Sequence, residues 1–247
     1  MAWIASLRRE IGTAVAFLTR LPVRLDAVAP LGAAARGFPM AGGLVGVSGA
    51  LSLTAALAAG IPPLAAALLA VGTTAALTGA LHEDGLADSA DGLFSGASRE
   101  RMLEIFRDSR IGTYGAVALI LSVGLRTTAL ASLADGAAAL VAVHALSRGW
   151  LPWLMHRDNP ARSDGLGAGA GRPDSKGAMW SAGLAFGVAA IAIGPAAALL
   201  AAAVSVACAL GVAALARRRL GGYTGDTLGA AEQMAEIGAF LALSTLP

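Results

Sequence analysis

Ten consecutive residues hold the densest chemistry in the chain: Glu83-Asp84-Gly85-Leu86-Ala87-Asp88-Ser89-Ala90-Asp91-Gly92. On a helix, Asp84, Asp88 and Asp91 stand at i, i+4 and i+7, so three carboxylates share one face. Like charges that close repel, and a cation among them relieves the repulsion. An all-oxygen donor set suits a hard divalent ion. Mg²⁺ in particular binds through one or two carboxylates together with substrate phosphates. Glycines beside the acids let backbone or ligand approach closely. The run implies a metal and a phosphate.

Three other stretches could serve the same chemistry. In residues 103–112, Glu104 and Asp108 form an i, i+4 carboxylate pair, with Arg107 and Arg110 flanking Asp108. This reads either as an ordinary salt-bridged helix face or as a further metal ligand beside phosphate-binding arginines. Residues 159–171 set Asn159, Arg162 and Asp164 among glycines, whose backbone N–H groups can meet a phosphate. Residues 221–236 hold Thr224 and Asp226, then Glu232 and Glu236 one turn apart in an apolar tail. Carboxylates in such a setting are costly and functional by default. His82 and His156 border these stretches, and His82 is a candidate for proton transfer. No His/Cys spacing fits zinc, and no phosphate-binding P-loop, nucleophile elbow or dinucleotide fingerprint is present.

The elements that must position these residues are membrane helices. The 247 residues are 56% hydrophobic and 14% charged, against roughly 25% charged in soluble domains. Mean hydropathy is +0.69. The apolar residues are mostly Ala, Leu, Val and Gly, the small-residue composition of helices that pack closely in lipid. Alternating strand patterns are missing, which argues against a β-barrel. The single Cys208 excludes a disulfide within the chain and reads as a small core residue. Residues 1–12 lack the pattern of a signal peptide.

Residues 3–21 predict an interfacial helix: Trp3, Ile4, Leu7, Ile11, Ala14, Val15 and Leu18 recur at 3/4 spacing, and Pro22 stops it. A span needs about 20 residues. Residues 37–81, divided at Pro62-Pro63, supply two, and residues 111–130 and 136–155 supply two more. Residues 178–216, divided at Gly194-Pro195, supply another two, and 227–247 is a seventh span or a re-entrant helix. The expected fold is an all-α polytopic transmembrane bundle of six or seven spans plus the N-terminal interfacial helix. It forms one integral membrane domain over 1–247, with an N-terminal segment 1–36, an acidic loop 82–110 and a Gly/Arg-rich loop 156–177.

Charge orients this bundle. Of 18 Lys and Arg, five precede residue 37, four lie in 82–110, four in 156–177 and three at 217–219. These 16 fall on one side of a six-span arrangement, which the positive-inside rule places in the cytoplasm. The other two, Arg126 and Arg148, lie inside spans. Arg126 reads either as a snorkelling or as a bundle-lining residue, and Arg148 pairs naturally with His144 one turn earlier.

Five stretches, in order along nearly the whole chain, resemble the cobalamin synthase family, the adenosylcobinamide-GDP ribazoletransferases. They are Phe17-Leu18-Thr19-Arg20-Leu21-Pro22; His82 through Gly92; Arg107-Asp108-Ser109-Arg110-Ile111-Gly112; Gly165-Leu166-Gly167; and Thr224-Gly225-Asp226-Thr227-Leu228-Gly229-Ala230. The resemblance implies a Mg²⁺-dependent enzyme of the bacterial inner membrane. Such an enzyme joins adenosylcobinamide-GDP to α-ribazole or its 5′-phosphate, releasing GMP and forming adenosylcobalamin or its phosphate.

That chemistry needs charge neutralisation at a pyrophosphate, which metal ions and positioned cations supply. On this reading Asp84, Asp88 and Asp91 hold the metal, with Asp108 and Asp226 completing the set. Arg107, Arg110, Arg162 and Thr224 hold phosphates, and His82 joins the three aspartates as a catalytic group. The expected partners are these small molecules and the bilayer; no nucleic acid is expected, and a homo-oligomer stays open. Two rival classes are weighed. A CDP-alcohol phosphotransferase places Ala-Arg three residues after Asp-Gly, whereas Asp84-Gly85 is followed by Leu86-Ala87-Asp88. An ion-coupled transporter places its acids at mid-span, whereas these acids gather towards one side.

Overall fold

Helices follow one another wherever an apolar run ends in Gly or Pro. The computed structural model describes residues 2–24, 29–108 and 110–246, and leaves out the side chains of Ala2, Trp3, Ile4, Leu166 and Ala168. The side chains of Trp3 and Ile4 of the N-terminal pattern, and Ser109 of the 107–112 stretch, therefore lie outside what is described. Helix α1 covers Ala2–Leu18 and a short 3₁₀ segment covers Leu31–Gly37; α2 is Phe38–Ala58, α3 Pro63–Thr78, α4 Leu81–Leu93 and α5 Arg99–Ile105. Then come α6 Thr113–Ser132, α7 Gly136–Gly149, α8 Leu151–Arg157 and the single turn α9 Leu166–Gly169. The last three are α10 Ser175–Ile193, α11 Pro195–Leu220 and α12 Gly225–Leu243. No strand occurs among the described residues; one isolated bridge joins Pro160 and Tyr223. The all-α expectation stands.

Four helical stretches are long and apolar enough to cross a membrane: Leu31–Ala58, Thr113–Ser132, Ser175–Ile193 and Pro195–Leu220. Helices α3 and α4 pass the same test only together, across a 91° bend, which would make five. The expected six or seven spans thus stand against four or five. Two reasons are physical. Helix α3 has 16 residues, about 24 Å at 1.5 Å per residue. The 136–155 stretch breaks at Trp150 into α7 and α8, with Pro152 in the first turn of α8.

Small residues set the packing. A Cβ on Gly46 of α2 would stand 2.5 Å from the Leu140 carbonyl of α7, so glycine lets the two backbones touch. Ala66, Ala70, Leu140, Val143, Ala201 and Phe240 lie in the largest buried apolar cluster. The α3–α4 bend is made by two successive left-handed residues, Gly79 at φ +65° and Ala80 at φ +55°. A non-glycine residue there is uncommon. The bend converts the expected acidic loop: its first part, Leu81–Leu93, is a helix turned away from α3.

Candidate active site

The face read from the acidic run exists. On α4, Asp84 is exposed and Asp88 and Asp91 are half-buried, while Gly85, Leu86, Ala87, Ser89 and Ala90 are buried. Helix α12 crosses α4 at glycine. A Cβ on Gly85 would stand 2.7 Å from the Asp226 carbonyl and 3.2 Å from the Gly229 Cα. This contact carries Asp226, 142 positions on from Asp84 in the numbering, to the acid face. The helix begins at Gly225 with Thr224 as its cap, Thr224 and Thr227 exchanging side-chain and backbone hydrogen bonds. Asp226 therefore lies inside the first turn and does not cap the helix.

The Gly-rich stretch is tied onto the same corner. Ala161 N donates to Tyr223 O at 2.7 Å and Tyr223 N to Asn159 O at 3.0 Å. Arg99 clamps both strands of this contact, donating to Leu220 O at 2.8 Å and to Ala161 O at 2.6 Å. The tether brings Arg162 Nη2 to 3.6 Å from Asp226 Oδ2 and Arg162 Nε to 4.0 Å from Asp164 Oδ1.

Among the described residues the ion pair that reaches these acids comes from Arg162. Burial first, then the charges of Asp84, Asp226 and Asp91, push the Asp88 carboxyl up to about 7. Burial raises Asp226, and Arg162 opposes the shift. Asp226 Oδ2 and Arg162 Nη1 are buried without a hydrogen-bond partner. Orphaned polar atoms of opposite charge beside three further carboxylates suit a divalent cation bound with a phosphate. The donor types, all oxygen, are those Mg²⁺ takes, while among the described residues only His144, Glu232 and Glu236 have three ligand atoms within 4.8 Å of one another.

The other expected site residues are placed as follows. Asp91 accepts the Gly112 and Gly115 backbone N–H groups at 2.7 and 2.9 Å, pinning the start of α6 to α4. Each of its oxygens keeps a second lone pair. Thr224 spends its side chain as a helix cap. Arg107 donates to Asp164 at 2.6 Å at the surface. Asp108 lies beyond the end of α5, so it shares no helix face with Glu104; both its oxygens accept from Arg110. That pairing holds the exposed Asp108 down to about 2. Glu104 bonds Arg101 instead. The structure thus brings Asp84, Asp88, Asp91, Asp226 and Arg162 together, and leaves Asp108 and Arg110 paired with each other.

A cavity of about 160 Å³ opens beside this cluster. His82, Asp84, Arg162 and Asp226 line one part of it. Its remaining walls are mostly apolar.

A second set of charges lies beneath, and the sequence showed its members. Arg126 of α6 reaches Glu83 at 3.1 Å and Glu236 at 2.9 Å. Arg148 of α7 reaches Glu232 at 2.5 Å and Glu236 at 2.7 Å. His144 Nδ1 is 2.6 Å from Glu236, and His82 Nδ1 is 3.5 Å from Arg148 Nη2. All seven side chains are buried, Arg126 at 1% exposure, so Arg126 does not snorkel. His144, Glu232 and Glu236 have ligand atoms close enough to share a metal ion. The Arg148 guanidinium contacts both glutamates there and supplies the positive charge itself. The sequence signal was the set of charges inside apolar stretches; the expected Arg148–His144 pairing is present at 2.9 Å, and the pairings between distant helices were not visible.

Comparison with known proteins shows the family. The family model for cobalamin-5-phosphate synthase matches residues 10–244. An adenosylcobinamide-GDP ribazoletransferase from Bradyrhizobium diazoefficiens is 48% identical over 240 residues, covering 95% of this chain and 92% of its own. The protein of that name from Rhizobium johnstonii is 46% identical over 254 residues, 96% of each chain. The one from Azorhizobium caulinodans is 45% identical over 247 residues, 94% and 93% of the chains. No solved structure matches. With an acid face on α4, Asp226 beside it and the match running through both, the chain belongs to the cobalamin-5-phosphate synthase family.

Proposed function

We propose that the chain joins adenosylcobinamide-GDP to α-ribazole, or to its 5′-phosphate, and releases GMP. The observation that carries this is the convergence of the α4 carboxylates with Asp226 and Arg162 across the Gly85 contact. In the reaction the acceptor 5′-oxygen bonds the phosphorus that carries the corrinoid side. The bond from that phosphorus to the bridging oxygen breaks, and GMP leaves with the electron pair. Bound Mg²⁺ would neutralise charge on the pyrophosphate oxygens. Asp84, Asp88, Asp91 and Asp226 are the residues that would hold it. Arg162 sets a guanidinium against the departing phosphate, where its planar fork suits bidentate contact. His82 lines the cavity and is buried, and we assign it the acceptor proton.

The membrane setting follows from the apolar helices. We place the protein in the bacterial inner membrane with the active site at the cytoplasmic face. The 16 Lys and Arg outside the core support that orientation, because they cluster in the same segments that build the site. The deciding experiment is GMP release from adenosylcobinamide-GDP by purified protein, with and without α-ribazole and Mg²⁺. GMP release that ignores both additions would refute the reading.

A further inference from the structure

The cavity beside the acid cluster has a lining of two kinds. Its polar part is His82, Asp84, Arg162 and Asp226; its large apolar residues include Phe17, Phe38, Leu81, Leu151, Met155 and Leu228. We propose that the apolar part is the subsite for the flat, apolar, bicyclic base of the acceptor nucleoside, and that the polar part meets its ribose and 5′-oxygen. This rests on the transfer reading above and adds where the acceptor sits.

Size is the first argument. The cavity measures about 160 Å³, and an apolar cavity of about 150 Å³ holds one benzene. The enclosed space is on the scale of a single aromatic ring, so the flat end of a base enters it and a corrin macrocycle does not. Chemistry is the second argument. Both substrates carry a base, guanine on the donor and a benzimidazole on the acceptor. Guanine presents donors and acceptors around its edge, and each one buried without a partner is unfavourable. The six apolar side chains offer none. A benzimidazole presents a single free ring nitrogen and otherwise apolar edges. Its burial against Phe and Leu is favourable, and Met155 adapts to an irregular ring outline.

Connectivity is the third argument. The walls come from α1, α2, α4, α8 and the first turn of α12, and Leu228 shares the lining of this one cavity with Asp226 and Arg162. A base seated against Leu228 therefore hangs its ribose at Asp226 and Arg162, where the pyrophosphate is to be attacked.

Two variants and two measurements test this. Leu228→Trp fills the cavity, and Met155→Ala enlarges it. In GMP-release assays, Leu228→Trp should raise the KM for α-ribazole by roughly tenfold or more, the scale set by methylene-sized changes in an apolar pocket. The KM for adenosylcobinamide-GDP should stay unchanged. Met155→Ala should accept a nucleoside with a larger tricyclic base that the wild type uses poorly, which keeps the test alive should the Trp variant misfold. Equilibrium dialysis of α-ribazole alone should show the same weakening without any turnover. A shift in the donor KM instead, or no shift in either KM for folded variants, would overturn the subsite. Wild-type α-ribazole binding that Leu228→Trp abolishes, without GMP release in any condition, would refute the transfer reading and uphold the subsite.

Discussion

Two layers of carboxylates lie within a few helical turns of each other, and their fates differ. The upper layer, Asp84, Asp88, Asp91 and Asp226, is partly open to solvent and has one arginine near it, Arg162. The lower layer, Glu83, Glu232 and Glu236, is buried and laced to Arg126, Arg148 and His144. Charge arithmetic separates them. Below, three glutamates meet two arginines, so a single proton completes neutrality. Above, four aspartates meet one arginine, and burial together with the neighbouring carboxylates pushes Asp88 up to about 7. A saturated layer is a scaffold; an unsaturated one is where the proposed function puts its cation. Burial explains why the lower layer must be saturated, since an unpaired charge there is expensive.

Breaking the lower layer gives the largest effect. Arg148→Leu takes away the arginine of Glu232 and leaves Glu236 with Arg126 and His144; a buried charge without its partner should cost about 3–5 kcal/mol. Thermal unfolding in detergent would show it as a collapse of the transition temperature. Arg148 dispensable for folding would mean that the network is not a scaffold.

The upper layer should respond in activity and not in stability. Asp226→Asn and Asp84→Ala should each lower turnover by about 10²–10³-fold, the scale of losing one electrostatic group at a reacting phosphate, while the folded yield stays at wild-type level. Asp226 is not the α12 cap, so normal turnover in Asp226→Asn would remove it from the site altogether.

A pH series sharpens the contrast. Without metal, the unfolded chain loses the Asp88 proton near pH 4, but the folded chain keeps it to about 7. Between these values the native state binds more protons, so stability falls as pH rises through that window. Mg²⁺ should cancel the fall, because a bound cation favours the carboxylate form. Asp88→Asn should flatten the profile without metal. An identical profile in wild type and Asp88→Asn would show that the acids do not crowd one another.

The smallest effect belongs to the exposed pair at the rim. Asp108→Asn and Arg110→Gln remove a solvent-facing contact and should leave both turnover and melting unchanged. A large loss of Mg²⁺-dependent activity in Asp108→Asn would return it to the metal set.

The sequence by itself determined the features that are local or compositional. Low charge and long apolar runs dictate helices in a membrane, and the spacing of Asp84, Asp88 and Asp91 dictates a shared face, because helical periodicity acts over a single turn or two. The bend at Gly79-Ala80 was less legible, since alanine rarely takes the left-handed region; the acidic run therefore read as a loop. The role of Thr224 as a cap was likewise hidden until the start of α12 was known. Tertiary structure alone decided which charges meet. Glu83, Arg126 and Glu236 come from three helices, and Arg126 and Glu236 are 110 positions apart. Asp226 joins the acid face because two glycines let α4 and α12 touch. Such pairings depend on how helices rotate and cross, which close packing of the whole bundle fixes and no single segment encodes.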